Sequence, residues 1–272
     1  MKFENATITL APRTTDNCLD LAILFTCRHI GPILGLWFAF ALPSAVGVYL
    51  LSRYYDYGLG MTIGCWCLVT SPFGVLLTCA TSLSAFGEPF SYRQTFVQMP
   101  VRVIKLIFSE LLLRVLWLAL SVPTAGIPLL IGSVLYGFRV EHAALDRFNR
   151  RLHNRVTKEL VRTHASSLIG RRLLITAFTI ILWSVWFLTA DTLISVVFDV
   201  PVFLAKLQSG DFGLFALLND PIVQVLAIAT GLAAYPIGRI AWFFCYIDLR
   251  VRLDLWDIEL QFLQQARQIS RK

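Results

Sequence analysis

Long runs of apolar residues without a charge dominate the pattern of this chain. An α-helix needs about 20 apolar residues to cross the ~30 Å hydrocarbon core of a bilayer. The pattern predicts six spans, near residues 30–51, 58–86, 106–122, 125–138, 173–190 and 222–247. We therefore expect an all-α fold, a polytopic membrane helical bundle that forms a single integral membrane domain over residues 1–272.

The stretch from residue 104 to 138 allows two interpretations. It contains Glu110 and Arg114, and the residues after Ser121 carry a turn signal, Val-Pro-Thr-Ala-Gly. Two short spans of about 17 residues each would be at the lower limit of length, so a re-entrant hairpin is the alternative. Both interpretations return the chain to the side of the membrane that it left.

Amphipathic segments are predicted outside these spans. Residues 14–29 follow the N-cap candidates Thr14 and Thr15, and we expect them to form an interfacial helix. Residues 139–172 carry apolar positions at steps of three and four, typical of a helix with one apolar face. Residues 248–272 continue the last span as a helical tail.

Charge determines the orientation. A composition of 57% hydrophobic and 15% charged residues excludes a soluble domain, in which about a quarter of residues are charged. In a membrane protein, the basic residues behind the net charge of +7 indicate the orientation of the loops before they indicate a binding partner. Only Arg53 and Lys206 lie in the loops of one side, whereas most of the 24 Lys and Arg residues lie in 1–29, 88–105, 139–172 and 248–272. The positive-inside rule predicts that both termini are in the cytoplasm, with six crossings.

The basic segment 139–172 offers a candidate contact with lipid. Anionic headgroups attract a basic residue near the surface by ~1 kcal/mol. The candidates for this contact are Arg147, Arg150, Arg151, Arg155 and Lys158. The same charge could bind an acidic protein partner at the cytoplasmic face. The simpler alternative is that the segment only determines the orientation of the protein in the membrane. No nucleic-acid partner is expected, because no aromatic platform or reader motif accompanies the charge.

Three charged residues inside predicted spans form a candidate intramembrane polar site: Glu110, Arg114 and Arg239. A charge within a span is costly and usually finds a partner. At 1.5 Å per residue, Glu110 and Arg239 lie at ~9 and ~12 Å from the same side. We expect Glu110 to pair with Arg239, or with Arg114 one turn along its own helix. Snorkelling of both arginines to the headgroups is the alternative.

Catalytic and metal-binding motifs are absent from the sequence. It contains no G-x-x-x-x-G-K-[ST], H-E-x-x-H, G-x-S-x-G or C-x-x-C pattern. We therefore expect no metal and no cofactor, and an enzyme is less favoured than a non-catalytic protein. The six cysteines lie in or beside apolar segments, which predicts free thiols.

The end of the sixth predicted span carries a pattern of alternating charge. Asp248 and Arg252 are four positions apart, as are Arg250 and Asp254, so each pair can form an ion pair along a helix. The pattern also includes Tyr246, Trp256, Asp257 and Glu259. This segment resembles the C-terminal end of the glycerophosphoryl diester phosphodiesterase membrane-domain-like family, except for Asp254 in place of Glu and Leu255 in place of Gly. The family consists of bacterial multi-pass proteins, so the resemblance implies a six-helix membrane domain in the bacterial cytoplasmic (inner) membrane.

Two classes of function follow from these observations. We expect a non-catalytic scaffold or accessory subunit that presents a basic cytoplasmic face. The alternative is a transporter or lipid-handling membrane protein that uses Glu110, Arg114 and Arg239 inside the bilayer. An intramembrane enzyme has no motif in its favour. A carrier needs a polar cavity that reaches into the bilayer, whereas a scaffold tolerates a packed apolar centre.

Overall fold

A computed structural model describes residues 13–55, 58–98, 100–121, 138–145, 165–200, 202–209 and 213–254. Within these ranges all regular secondary structure is helical, which confirms the all-α prediction. The helices are α1 Thr15–Arg28, α2 Ile30–Tyr55, α3 Leu59–Ala85, α4 Tyr92–Gln98, α5 Pro100–Ser121, α6 Arg139–Leu145, α7 Ala165–Phe198, α8 Leu204–Ser209, α9 Leu214–Leu218 and α10 Pro221–Asp254.

Four of the described helices are long and apolar enough to cross a membrane. They are α2, α3, most of α7 (Ser166–Phe198) and most of α10 (Pro221–Val251). The expectation of a membrane helical bundle is met, and the described residues contain four candidate spans, compared with the six that the sequence predicts for the whole chain. The predicted span 106–122 falls within α5, where Lys105, Glu110 and Arg114 interrupt the apolar run. The predicted span 125–138 lies almost entirely outside the described residues.

Helix α5 runs beside α3 in spite of its charges. The two helices pack against each other, and α4 contacts both. The Arg114 guanidinium reaches the backbone of Cys67, near the middle of α3. Arg114 thus faces the interior of the bundle, while Phe108, Leu112 and Leu116 stay exposed on another side of α5.

Helix α10 is the central helix of the described bundle. It packs against α1, α2, α3 and α7, and every residue from Ile240 to Val251 is buried. Small residues permit this close packing. A Cβ at Gly238 would collide with the Thr179 hydroxyl of α7, and a Cβ at Gly74 of α3 would collide with the Tyr235 hydroxyl of α10.

Helix α7 lies at the edge of the bundle. Only 6% of the residues in its most apolar stretch are buried, and Ile181, Val185 and Val196 are exposed. One side contacts α10. A helix that is apolar on all sides yet exposed is typical of a segment surrounded by lipid.

The N-terminal helix α1 packs against the helical bundle. The Thr14 hydroxyl accepts a hydrogen bond from the Asn17 N–H at 3.4 Å, which caps the first turn. Its apolar face buries Cys18, Ala22 and Phe25, and the helix packs against α10. The stripe that predicts an interfacial helix is therefore used in packing against the bundle.

Candidate functional site

A groove of about 490 Å³ lies between α3, α5, α7 and α10. This volume is within the range of about 300–1,000 Å³ that small-molecule sites have. Helices α3 and α10 contact each other and form the floor, with α5 packed on α3 and α7 packed on α10. The described parts of α5 and α7 have almost no direct contact with each other.

One end of the groove is basic. Its lining includes Arg114 from α5, Arg172 from α7 and Arg239 from α10, together with the carboxylate-bearing Glu110 from α5. The sequence singled out three of these four residues, and the structure brings them to one site. It missed Arg172, because that residue ends a long basic segment and its charge was assigned to the membrane surface.

The other end of the groove is apolar and aromatic. Ile63 and Trp66 line it from α3, and Ile180 and Trp183 line it from α7. The Trp183 indole N–H donates to the Ala227 carbonyl oxygen at 3.1 Å, so its polar atom is satisfied by α10. Arg172 and Trp183 are eleven positions apart on α7, or ~16 Å along the helix axis.

The partner of Arg239 is Glu141. An Nη2–Oε1 distance of 2.9 Å joins the two side chains, and the Glu141 side chain is fully buried. The oxygen lies off the N–H direction, so the contact is an ion pair without an aligned hydrogen bond. The Arg239 Nε donates to the Thr78 hydroxyl at 2.9 Å. The predicted pair of Arg239 with Glu110 is therefore wrong, and Arg239 points into the bundle, with only 10% of its side chain exposed.

Packing of the short helix α6 explains why the sequence did not indicate this pair. Phe138, just before α6, stacks on Trp242 of α10, with ring centroids 4.5 Å apart. The helix also packs on α3. These contacts bring Glu141 to Arg239 from 98 positions away, which no spacing rule detects. Burial raises the pKa of Glu141, and the Arg239 charge opposes this effect.

Arg114 is held by neutral groups. It donates to the Cys67 carbonyl oxygen at 3.1 Å, to the Thr70 hydroxyl at 2.5 Å and to the Tyr235 hydroxyl at 3.4 Å. The Tyr235 hydroxyl in turn donates to the Thr70 carbonyl oxygen at 3.2 Å. The alternative pairing of Arg114 with Glu110 is therefore not formed, and no carboxylate of the described residues neutralises the charge of Arg114.

Among the arginines that line the groove, Arg172 is the second, after Arg114, that has no carboxylate partner in the described part of the chain. Its guanidinium carbon lies 4.8 Å from the centre of the Trp242 ring, a cation–π contact. It is close enough to Arg114, Arg239 and Glu141 for their charges to act on it. In the described part of the chain Arg172 has no salt bridge, and neither has Glu110.

The C-terminal motif has a structural role in its described part. The Asp248 carboxylate is buried and accepts hydrogen bonds from the Arg13 backbone N–H and from Arg171, each at 2.6 Å. The Tyr246 hydroxyl lies 3.3 Å from His142 Nδ1. Arg250 is also buried. The Arg252 side chain, Asp257 and Glu259 lie outside the described residues.

No family model, curated protein or solved structure matches this chain. The resemblance to the membrane-domain-like family stays a prediction. The basic residues expected to contact lipid, from Arg147 to Lys158, lie outside the described residues. Among the residues that the structure does describe, no group of three or more His, Cys, Asp or Glu side chains is placed to hold a metal ion.

Proposed function

We propose that the groove binds the anionic headgroup of a membrane amphiphile and that the protein handles lipid. The observation that carries this proposal is the placement of Arg114 and Arg172 at one end of an apolar groove, with no carboxylate of the described residues to neutralise either. An unneutralised guanidinium away from water is costly, and an anionic ligand offsets that cost.

The shape of the groove fits an amphiphile. Guanidinium groups bind phosphate through paired hydrogen bonds. The aromatic end, with Trp66 and Trp183, offers an apolar surface for an acyl chain, and Trp183 lies ~16 Å along α7 from Arg172.

The groove supports the lipid-handling alternative over the scaffold. A carrier requires a cavity with polar groups, and the basic end of the groove supplies them. A scaffold with a basic face rests on residues 147–158 and stays a second prediction. For either function we propose the bacterial inner membrane with both termini in the cytoplasm, supported by the Lys and Arg asymmetry of the loops. The basic end of the groove then lies in the cytoplasmic half of the bilayer.

Lipid binding by the detergent-purified full chain tests the proposal. Native mass spectrometry would compare phosphatidylglycerol with diacylglycerol of the same acyl chains. We expect phosphatidylglycerol to bind more tightly, and Arg172→Gln to weaken it by about tenfold or more, because a hydrogen bond to a charged group contributes about 1.5–3 kcal/mol. Arg28→Gln, which changes an exposed arginine of α1, is the control. Equal binding of both lipids, unaffected by Arg172→Gln, would refute the proposal.

A further inference from the structure

Glu110 is the one carboxylate among the described residues that line the groove. It lies one helical turn before Arg114 on α5, at the basic end. Arg114 turns instead to Cys67 and Thr70 of α3. Arg239 is paired with Glu141. Glu110 therefore faces the groove beside three arginines, and in the described part of the chain it forms a salt bridge with none of them.

The groove therefore carries charges of both signs. Arg239 and Glu141 neutralise each other, which leaves Arg114 and Arg172 as cations and Glu110 as an anion. Helix α5 supplies the anion from one wall, and α7 supplies Arg172 from the other. A ligand bound between the walls can meet both signs of charge at once.

We infer that the groove selects an amphiphile whose headgroup carries both a phosphate and a primary ammonium group, as in phosphatidylethanolamine, with the phosphate at Arg114 and Arg172 and the ammonium at Glu110. This inference rests on the proposed function. Each unneutralised charge in the groove then has a partner of opposite sign. A purely anionic amphiphile satisfies the two arginines and leaves Glu110 facing a like charge, which is destabilising.

Glu110 can recognise an ammonium group by hydrogen bonding only if that group carries N–H donors. A carboxylate accepts hydrogen bonds, and a primary ammonium donates three. The trimethylated headgroup of phosphatidylcholine has the same charge and no N–H donor. Glu110 therefore distinguishes phosphatidylethanolamine from phosphatidylglycerol by charge, and from phosphatidylcholine by hydrogen bonding.

The same chemistry occurs in a free headgroup without acyl chains. Glycerophosphoethanolamine carries the phosphate and the ammonium, and it does not use the apolar end formed by Trp66, Ile180 and Trp183. Because burial of apolar surface contributes about 25 cal/mol per Å², we expect the intact lipid to bind far more tightly. An equal affinity for glycerophosphoethanolamine would indicate a soluble ligand and would contradict the inference.

The decisive experiment is a lipid competition on the detergent-purified full chain. Phosphatidylethanolamine, phosphatidylglycerol and phosphatidylcholine with identical acyl chains would be titrated and the bound fractions measured by native mass spectrometry. We expect the wild type to prefer phosphatidylethanolamine. Glu110→Gln, which keeps the side-chain shape, should reduce that preference about tenfold while phosphatidylglycerol binds as well as before or better.

Glu88→Gln is the matched control, since Glu88 is an exposed carboxylate after α3. Equal binding of the three lipids by the wild type would overturn the inference, as would an equal effect of Glu110→Gln on all three. In either case a loss of phosphatidylglycerol binding in Arg172→Gln would leave the proposed function standing. If phosphatidylglycerol binding does not depend on Arg172, both the proposed function and the inference fail.

Discussion

Arg171 donates a hydrogen bond of 2.6 Å to the buried carboxylate of Asp248, and this contact joins the beginning of α7 to the end of α10. The same carboxylate accepts a hydrogen bond from the Arg13 backbone N–H, just before α1. One side chain therefore holds three segments that are distant in sequence.

Replacing Asp248 with Ala should destabilise this junction. The change leaves Arg171 without its carboxylate and the Arg13 N–H without its acceptor, so we expect a loss of about 3–5 kcal/mol. Thermal unfolding of the detergent-solubilised protein measures the loss, and limited proteolysis should show earlier cleavage near α1. Asp20→Ala removes an exposed carboxylate of α1 and serves as the control. An equally stable Asp248→Ala protein would contradict this role.

The ion pair between Arg239 and Glu141 can be tested by rescue. Arg239→Met leaves the Glu141 carboxylate buried without its cation, and we expect a loss of about 3–5 kcal/mol. Adding Glu141→Gln should restore much of the lost stability, because the buried group is then neutral. Adding Glu110→Gln instead should restore little. Thermal unfolding of both double variants decides between the two possible partners of Arg239. A better rescue by Glu110→Gln would indicate that Arg239 pairs with Glu110 and would contradict the pair with Glu141.

The raised pKa of Glu141 predicts a pH dependence of stability. Burial raises this pKa above the ordinary value of 4.5, so the folded state binds the proton more tightly than the unfolded state. The resulting stabilisation is present below the ordinary value and is lost as pH rises through the raised value. Glu141→Gln has no such titration.

The melting temperature of Glu141→Gln should therefore gain on that of the wild type as pH rises from the ordinary value through the raised one. Thermal melts across this range measure the difference between the two proteins. Glu88→Gln should show no comparable trend, because its carboxylate is exposed. A difference between Glu141→Gln and the wild type that stays constant with pH would contradict the raised pKa.

Gly74 marks a close approach of α3 to α10. A Cβ there would collide with the Tyr235 hydroxyl and displace it from Arg114 and the Thr70 carbonyl. We expect Gly74→Ala to cost about 1–3 kcal/mol. Gly64→Ala in the same helix meets no atom within 4 Å and should instead stabilise by about 0.5–1 kcal/mol. Equal melting temperatures of the two variants would exclude a tight contact at Gly74.

Orientation can be checked with reporter fusions. The Lys and Arg asymmetry predicts that a fusion after Lys272 reports the cytoplasm and that a fusion near Gln208, between α7 and α10, reports the opposite side. Four spans give the same prediction as six, since both numbers are even. Identical signals at the two positions would indicate that α10 does not cross the membrane and would contradict this topology.

Periodicity and hydropathy predict elements whose causes are local. The apolar runs give α2, α3, α7 and α10, and the cap at Thr14 gives the start of α1, because length, propensity and capping act within a few turns. The same local view predicts a membrane span at 106–122. Helix α5 covers this region, but two of its charged residues, Glu110 and Arg114, line a groove.

Side-chain partners in the site depend on contacts between distant segments. The sequence places Arg239 and Glu110 at compatible depths, but depth leaves the rotation of each helix open. Stacking of Phe138 on Trp242 brings Glu141 to Arg239 instead. Glu141 and Arg172 both come from the basic segment 139–172, where net charge conceals the individual residues that turn inward.

The attachment of the groove walls has a mechanical consequence. Wall α5 is fastened to α3 and wall α7 to α10, and their described residues hardly touch each other. The spacing between Glu110 and Arg172 can therefore change by a tilt of either wall, without separating the two floor helices. Anything that alters helix tilt, such as the thickness of the surrounding bilayer, would act directly on the width of the groove and on the reach between its opposite charges.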